Sequence, residues 1–99
     1  MYLIREVMNC KPGKVGEMVK KFKVLSVVMI RMKYKPFRVF TDVSGEQFWT
    51  LVAESEANTL DEFLAMESRV MGDEEARKAM TGYHDLVERG RREIYKIEA

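Results

Sequence analysis

The sequence has little of the chemistry that usually reveals an enzyme. It contains one cysteine and one histidine in 99 residues, so an internal disulfide is excluded and a zinc site is not expected. Cys10 lies near the end of a predicted strand, where a small buried side chain is favoured over a nucleophile. There is no nucleophile elbow, phosphate-binding loop or pair of catalytic carboxylates. We therefore expect no metal and no cofactor.

Long hydrophobic segments are also missing. No apolar run approaches the roughly 20 residues that cross a bilayer, and the N-terminus lacks the basic start and apolar middle of a signal peptide. We therefore expect a cytoplasmic protein that does not enter a membrane. A chain of 99 residues suits one domain, and without a linker or repeat we predict a single domain over residues 1–99.

The charges nearly cancel, with a net charge of +1, but they are unevenly distributed. Residues 11–35 hold eight basic residues and one acidic residue, whereas residues 42–75 hold ten acidic residues and one basic residue. A basic helix from Lys14 to Lys35 could bind nucleic acid. We favour the alternative that the basic helix lies beside the acidic one, in one molecule or across a dimer, because nucleic-acid binders usually carry a strong net positive charge.

Hydrophobic periodicity defines the order of the elements. Period-two alternation predicts strands, and apolar residues at three- and four-residue steps predict helices. A Thr59–Glu62 capping box begins one helix, Asp73 caps the next, and Gly45, Gly72 and Gly90 are assigned to turns or helix ends. The predicted elements are a strand over 2–9, a helix over 12–31, strands over 37–43 and 47–54, helices over 59–71 and 74–88, and a strand over 91–98.

This order predicts an α+β, ferredoxin-like βαββαβ fold. Two right-handed crossovers joined by a hairpin give a four-stranded antiparallel sheet with the helices, the second of them split in two, on one face. The hairpin strands carry large apolar residues on both faces, among them Phe40, Trp49 and Val52. We therefore expect an apolar open sheet face that a second copy covers, giving a homodimeric α+β barrel.

The two ends of the chain resemble a known family. The opening, from Tyr2-Leu3-Ile4-Arg5-Glu6 to Lys11-Pro12-Gly13-Lys14, resembles the start of NIPSNAP-like proteins, and the ending Glu88-Arg89-Gly90-Arg91-Arg92-Glu93-Ile94-Tyr95 resembles their close. These proteins belong to the dimeric α+β-barrel superfamily, with the antibiotic-biosynthesis monooxygenases. The resemblance implies a ferredoxin-like fold and a homodimer, but no single activity.

His84 is the candidate catalytic residue. Histidine is the side chain best suited to exchanging protons near neutral pH, and the predicted stripe places it at the edge of the apolar face of the last helix, next to Tyr83. Superfamily enzymes often carry a histidine facing the pocket between helices and sheet. The simpler alternative is an exposed helix histidine paired with a neighbouring carboxylate.

The candidate ligand-binding residues are Asn9, Trp49, Tyr83 and Arg5. Asn9, Trp49 and His84 are the residue types of the haem-degrading branch of the superfamily, but Trp49 and His84 lie much farther apart in sequence than in that branch, so haem is not expected. An arginine on a strand, such as Arg5, could hold an anion, although pairing with a glutamate across strands is favoured.

These observations leave three hypotheses. The first is a small homodimeric NIPSNAP-like protein that binds a small hydrophobic or aromatic molecule between helices and sheet. The second is a cofactor-independent monooxygenase or related oxidoreductase that uses His84. The third is a nucleic-acid binder. Whether the chain is an enzyme is left open.

Overall fold

Four antiparallel strands form one sheet, and the helices cover one of its faces. The computed structural model describes residues 1–99. The strand order is β2-β3-β1-β4, which confirms the predicted α+β, ferredoxin-like βαββαβ arrangement. The elements are β1 (Tyr2–Cys10), α1 (Val15–Arg31), β2 (Arg38–Thr41), β3 (Thr50–Ala57), α2 (Leu60–Gly72), α3 (Glu74–Met80), a 3₁₀ turn (Tyr83–Asp85) and β4 (Val87–Lys96).

The core lies between the sheet and the helices. Alternation along β1 turns Ile4, Met8 and Cys10 toward the helices, and on β3 it turns Leu51 and Ala53 the same way. The apolar stripe of α1 completes this layer, and its buried members are Met18, Phe22, Leu25, Val28 and Met29. None of the helices is both long enough and apolar enough to span a bilayer.

The basic helix α1 is held to α3 within one molecule at two places. The Arg31 guanidinium at the end of α1 donates to Asp73 at 2.9 Å and to Glu75 at 3.3 Å, at the start of α3. The Lys21 ammonium donates to the carbonyls of Ala79 and Thr81, both at 2.8 Å. Because a helix leaves its last carbonyls unpaired, Lys21 caps the other end of α3. The two contacts fasten α3 along α1.

The last helix is shorter than predicted. Periodicity indicated a helix over 74–88 ended by Gly90, but α3 ends at Met80 and the strand predicted over 91–98 begins at Val87. The chain leaves the helix at Thr81, whose ψ is 128°, and Gly82 completes the turn with a φ of +80°, a conformation that glycine adopts without strain. Gly90 instead lies inside β4 opposite Met8.

The hairpin loop is longer than the predicted three-residue turn. Pairing between β2 and β3 stops at Thr41 and Leu51, so residues 42–49 form the loop. Gly45 does not take the expected positive φ; Trp49 does, at +61°, and this conformation breaks the alternation on which the predicted strand over 47–54 rested. Gly72 likewise has no positive φ and is the last residue of α2.

The open face of the sheet is mixed in polarity, so the predicted bare apolar face is wrong. Phe48 and Trp49 lie in the loop. The prediction rested on the hairpin strands, but they share this face with charged side chains of β1 and β4, because the positions that alternate with the buried residues of those two strands are largely polar. Apolar residues remain among them, namely Leu3, Val7, Phe40, Val52 and Tyr95.

Candidate functional site

An apolar cavity lies between the helices and the sheet, and we call it the helix-side cleft. Its volume is about 280 Å³, and nine of its 12 lining residues are hydrophobic. Ligand sites are typically concave and mostly apolar, with a few polar groups that fix the orientation of the ligand. The apolar lining residues are Met8, Phe22, Leu25, Phe37, Met66, Val70, Met71, Met80 and Tyr83.

Methionine contributes four of these lining residues: Met8, Met66, Met71 and Met80. The thioether side chain is flexible and polarisable, so a methionine-rich wall adapts to apolar ligands of different shape. Other methionines, such as Met18, are simply buried in the core. The methionine content of the sequence therefore serves both the core and the cleft.

The polar groups of the cleft form a cluster of three charges, which we call the Glu6–Arg92–Glu67 triad. Arg92 on β4 donates through Nε to Glu6 on β1 and through a terminal nitrogen to Glu67 on α2. Its guanidinium also lies 4.9 Å from the centre of the Phe63 ring, within the range of a cation–π contact. The triad therefore ties the sheet to α2 beside the cleft.

Glu6 is the most buried member of the triad. Its side chain is 19% exposed, against 35% for Arg92. Burial raises the pKa of the Glu6 carboxyl, and the hydrogen bond and charge of Arg92 only partly offset that increase. The interaction with Arg92 therefore does not fully offset the cost of burying the negative charge of Glu6.

A second cavity, the open-face pocket, lies on the other side of the sheet beside the 42–49 loop. Its volume is also about 280 Å³, but only three of its 14 lining residues are hydrophobic. Asn9, which is 6% exposed, donates to the Thr50 hydroxyl and accepts from Arg89 Nε, both at 3.2 Å. The pocket also contains Arg5 and Arg91.

Ion pairs already engage these two arginines. Arg5 donates to Glu54 at 3.1 Å and to Glu93 at 3.0 Å, and Arg91 donates to Glu93 at 2.7 Å. The hydrogen bond from Arg91 holds the pKa of the Glu93 carboxyl below its usual range, and Tyr95 contributes a further hydrogen bond. The cross-strand pairing expected for Arg5 is therefore present, and this pocket is largely self-neutralised.

His84 does not lie on a helix as predicted. It belongs to the 3₁₀ turn, where its side chain is exposed and its ring lies 4.0 Å from that of Tyr83. Tyr83 lines the helix-side cleft, whereas His84 does not. A catalytic role for His84 stays a prediction.

The predicted ligand-binding residues are divided among three places. Asn9 and Arg5 face the open side of the sheet, and Tyr83 faces the cleft. Trp49 borders a shallow depression with Phe48 and Val15. Nothing in this arrangement brings Asn9, Trp49 and His84 into a common site.

No arrangement of other residues suggests a metal centre or a reactive thiol. No group of three or more histidine, cysteine, aspartate or glutamate side chains is placed to hold a metal ion. Cys10 is buried, and burial raises the pKa of its thiol. Since the thiolate is the nucleophilic form, Cys10 is a core residue.

Comparison with solved structures identifies the fold. A NIPSNAP domain protein from Burkholderia xenovorans superimposes with a TM-score of 0.80 at 18% identity, covering 100% of this chain and 96% of that one. A NIPSNAP family protein from Agrobacterium tumefaciens gives 0.82 at 12% identity, covering 98% and 85%. An antibiotic biosynthesis monooxygenase-like protein from Nitrosomonas europaea gives 0.71 at 15% identity, covering 97% of each chain.

The chain has a NIPSNAP-like fold. This confirms the architecture that the two ends of the sequence suggested. No family model matches the sequence, and no curated protein is significantly similar to it. At these low identities the NIPSNAP-like fold carries no activity with it.

The triad is the feature of this NIPSNAP-like chain that sequence reasoning missed. Pairing of strand arginines with glutamates across strands was expected in general, without an assignment of Glu6 to Arg92. Glu6 lies two residues from both Ile4 and Met8 on β1, so its side chain points to the same, helix-facing side of the sheet. Arg92 is its direct partner on β4 and therefore faces the same side. A charged pair on an otherwise apolar strand face could have indicated Glu6 and Arg92. The part played by Glu67 could not be predicted without knowing how α2 packs on the sheet.

Proposed function

We propose that this chain is a small homodimeric NIPSNAP-like protein that binds a small hydrophobic or aromatic molecule in the helix-side cleft. The observation that carries the proposal is the cleft itself, with nine hydrophobic lining residues out of 12 and three charged groups gathered in one cluster. A volume of about 280 Å³ lies at the small end of ligand pockets. A ligand of one or two aromatic rings fits that scale.

A thermal-shift measurement with two-ring aromatics, 2-naphthol and 2-naphthoate, tests the proposal. A ligand at ten times its Kd stabilises the folded state by about 1.4 kcal/mol, which raises the Tm of a domain this size by roughly 5–10 °C. Met71→Trp places a large ring at the cleft wall and should abolish the shift. Leu64→Trp is the control on the same helix, because Leu64 is 51% exposed and does not line the cleft.

Two results would reject the proposal. One is the absence of any shift with either compound in the unmodified protein. The other is a shift that Met71→Trp leaves intact, because the ligand would then occupy another place.

The homodimer is the second part of the proposal. The molecule measures 35 × 35 × 17 Å, the dimensions of one sheet covered by one helix layer. Its open face carries Phe40, Val52 and Tyr95 among the ion pairs, and helices do not cover it. A second copy turned by a two-fold axis would cover that face with its own equivalent.

The likeness in fold to an antibiotic biosynthesis monooxygenase-like protein favours a second candidate, a cofactor-independent oxidoreductase acting on a molecule in the same cleft. Oxygen uptake in the presence of polycyclic phenols distinguishes it from simple binding. His84→Ala separates a role of His84 from a reaction that needs only the cleft. Nucleic-acid binding through the basic α1 is the weaker alternative, since part of that charge is paired with α3.

A further inference from the structure

The Glu6–Arg92–Glu67 triad supplies the only charged side chains that line the helix-side cleft. Apart from the triad, the only polar side-chain group in the lining is the uncharged hydroxyl of Tyr83, so a preference for the charge of a polar group on the ligand must come from the triad. The bonding pattern of its three side chains therefore determines which class of ligand the cleft accepts.

The triad has unused hydrogen-bond acceptors. Glu6 bonds Arg92 through one carboxylate oxygen and Glu67 bonds it through one, and neither carboxylate has another protein hydrogen bond. Its one cation is shared between two anions, which leaves a formal charge of −1 beside an apolar cavity. Burying a charge that is not fully paired is costly, and the raised pKa of Glu6 reflects that cost.

We infer that the cleft selects hydrophobic ligands carrying a hydrogen-bond donor, a hydroxyl or an ammonium group, and rejects the corresponding carboxylic acids. A donor can bond to the free oxygen of Glu6, the more buried of the two carboxylates. A ligand carboxylate would instead meet a net negative charge in a cavity of low polarity, where like charges repel strongly. The inference rests on the proposed function, because it assumes that the cleft is a ligand site.

The test compares ligands that share one ring system and differ in the polar group: 2-naphthol, 2-naphthylmethylammonium and 2-naphthoate. Isothermal titration of the unmodified protein at pH 7 gives their dissociation constants. A hydrogen bond to a charged group is worth enough to change affinity roughly tenfold or more. We therefore expect both donors to bind at least about tenfold more tightly than 2-naphthoate.

Glu6→Gln tests the residue behind the selection. The substitution preserves size and brings the formal charge of the triad to zero, so 2-naphthol should lose affinity and 2-naphthoate should gain it. Glu54→Gln is a matched control: Glu54 also pairs with a strand arginine and its side chain is 20% exposed, against 19% for Glu6, but it faces the opposite side of the sheet. The control should leave the order of affinities unchanged.

The outcomes separate this inference from the proposed function. If 2-naphthoate binds as tightly as 2-naphthol, the selection by the triad is wrong while the cleft remains a ligand site. If none of the three compounds binds, the ligand site and the selection fail together. The comparison within the unmodified protein decides the matter even if Glu6→Gln does not fold.

Discussion

Asp73 shows how one side chain can serve two elements. Its Oδ2 accepts a hydrogen bond from the Ala76 backbone N–H at 3.1 Å, which caps α3, and its Oδ1 accepts from Arg31 at the end of α1 at 2.9 Å. The hydrogen bond from Arg31, followed by that from the Ala76 N–H, holds the pKa of the Asp73 carboxyl below its usual range. Ionised Asp73 is thus favoured in the folded state.

That shift predicts how stability depends on pH. Because the folded-state pKa is lower than the unfolded value of about 3.9, the stabilisation from Asp73 is fully present at neutral pH. It should decline as the pH falls below about 4 and vanish below the folded-state pKa. Asp73→Asn retains a good helix cap, so urea unfolding should show a deficit relative to the unmodified protein at pH 7 that shrinks below pH 4.

Arg31→Gln provides the control for that measurement. Since Asp73 and Arg31 act through one contact, the double variant should lose less stability than the sum of the two single variants. Full additivity, or a deficit in Asp73→Asn that does not change with pH, would show that the ion pair contributes nothing.

Contacts within one helix turn could be predicted from the sequence, whereas the contacts of the triad could not. The Thr59 hydroxyl accepts from the Glu62 N–H at 3.1 Å as the capping pattern predicted, although the Glu62 carboxylate reaches the Asn58 N–H rather than that of Thr59. A cap depends on residues within one turn. The triad joins β1, β4 and α2, and only the packed fold brings those elements together.

At the scale of elements, the turn that follows α3 depends on Gly82. Its φ of +80° costs other residues roughly 1–2 kcal/mol. Gly82→Ala should therefore lower the Tm by roughly 5–10 °C in a domain of this size, measured by circular dichroism. A Cβ at this position would meet no atom within 4 Å, so the whole effect comes from backbone strain.

Gly90→Ala is the matched control. Gly90 lies in β4 without a positive φ, and a Cβ there would lie 3.6 Å from the Val7 carbonyl oxygen, an ordinary contact. It should change stability by no more than about 0.5 kcal/mol. A larger loss in Gly90→Ala than in Gly82→Ala would contradict the role of Gly82 in this turn.

The elements that sequence reasoning located well are those with a long, uninterrupted period. β1 starts and α1 ends where predicted, while β1 ends one residue later and α1 starts three residues later than predicted. The hairpin and the last helix were misplaced because their boundaries depend on single backbone conformations. The apolar period continued through Gly82, and alternation continued through Trp49, although both residues take a positive φ.

At the scale of the molecule, the open face determines whether the chain acts alone. A standard interface buries roughly 800 Å² per partner, and the whole molecule extends 35 × 35 Å along its two longer axes. Polar and charged groups are normal in such an interface when they are paired. The Arg5–Glu54 and Arg5–Glu93 pairs meet that condition within one chain, so they do not prevent a second copy from packing on this face.

Sedimentation equilibrium at micromolar concentration tests the homodimer, which should have twice the chain mass of 11.6 kDa. Phe40, 39% exposed on the open face, would be covered in the dimer, and Phe40→Asp should shift the population to monomer because it buries an unpaired charge. Leu64→Asp introduces the same charge at an exposed apolar site on the helix side and should leave the dimer intact. A monomeric unmodified protein, or dissociation by Leu64→Asp alone, would exclude the open face as the interface.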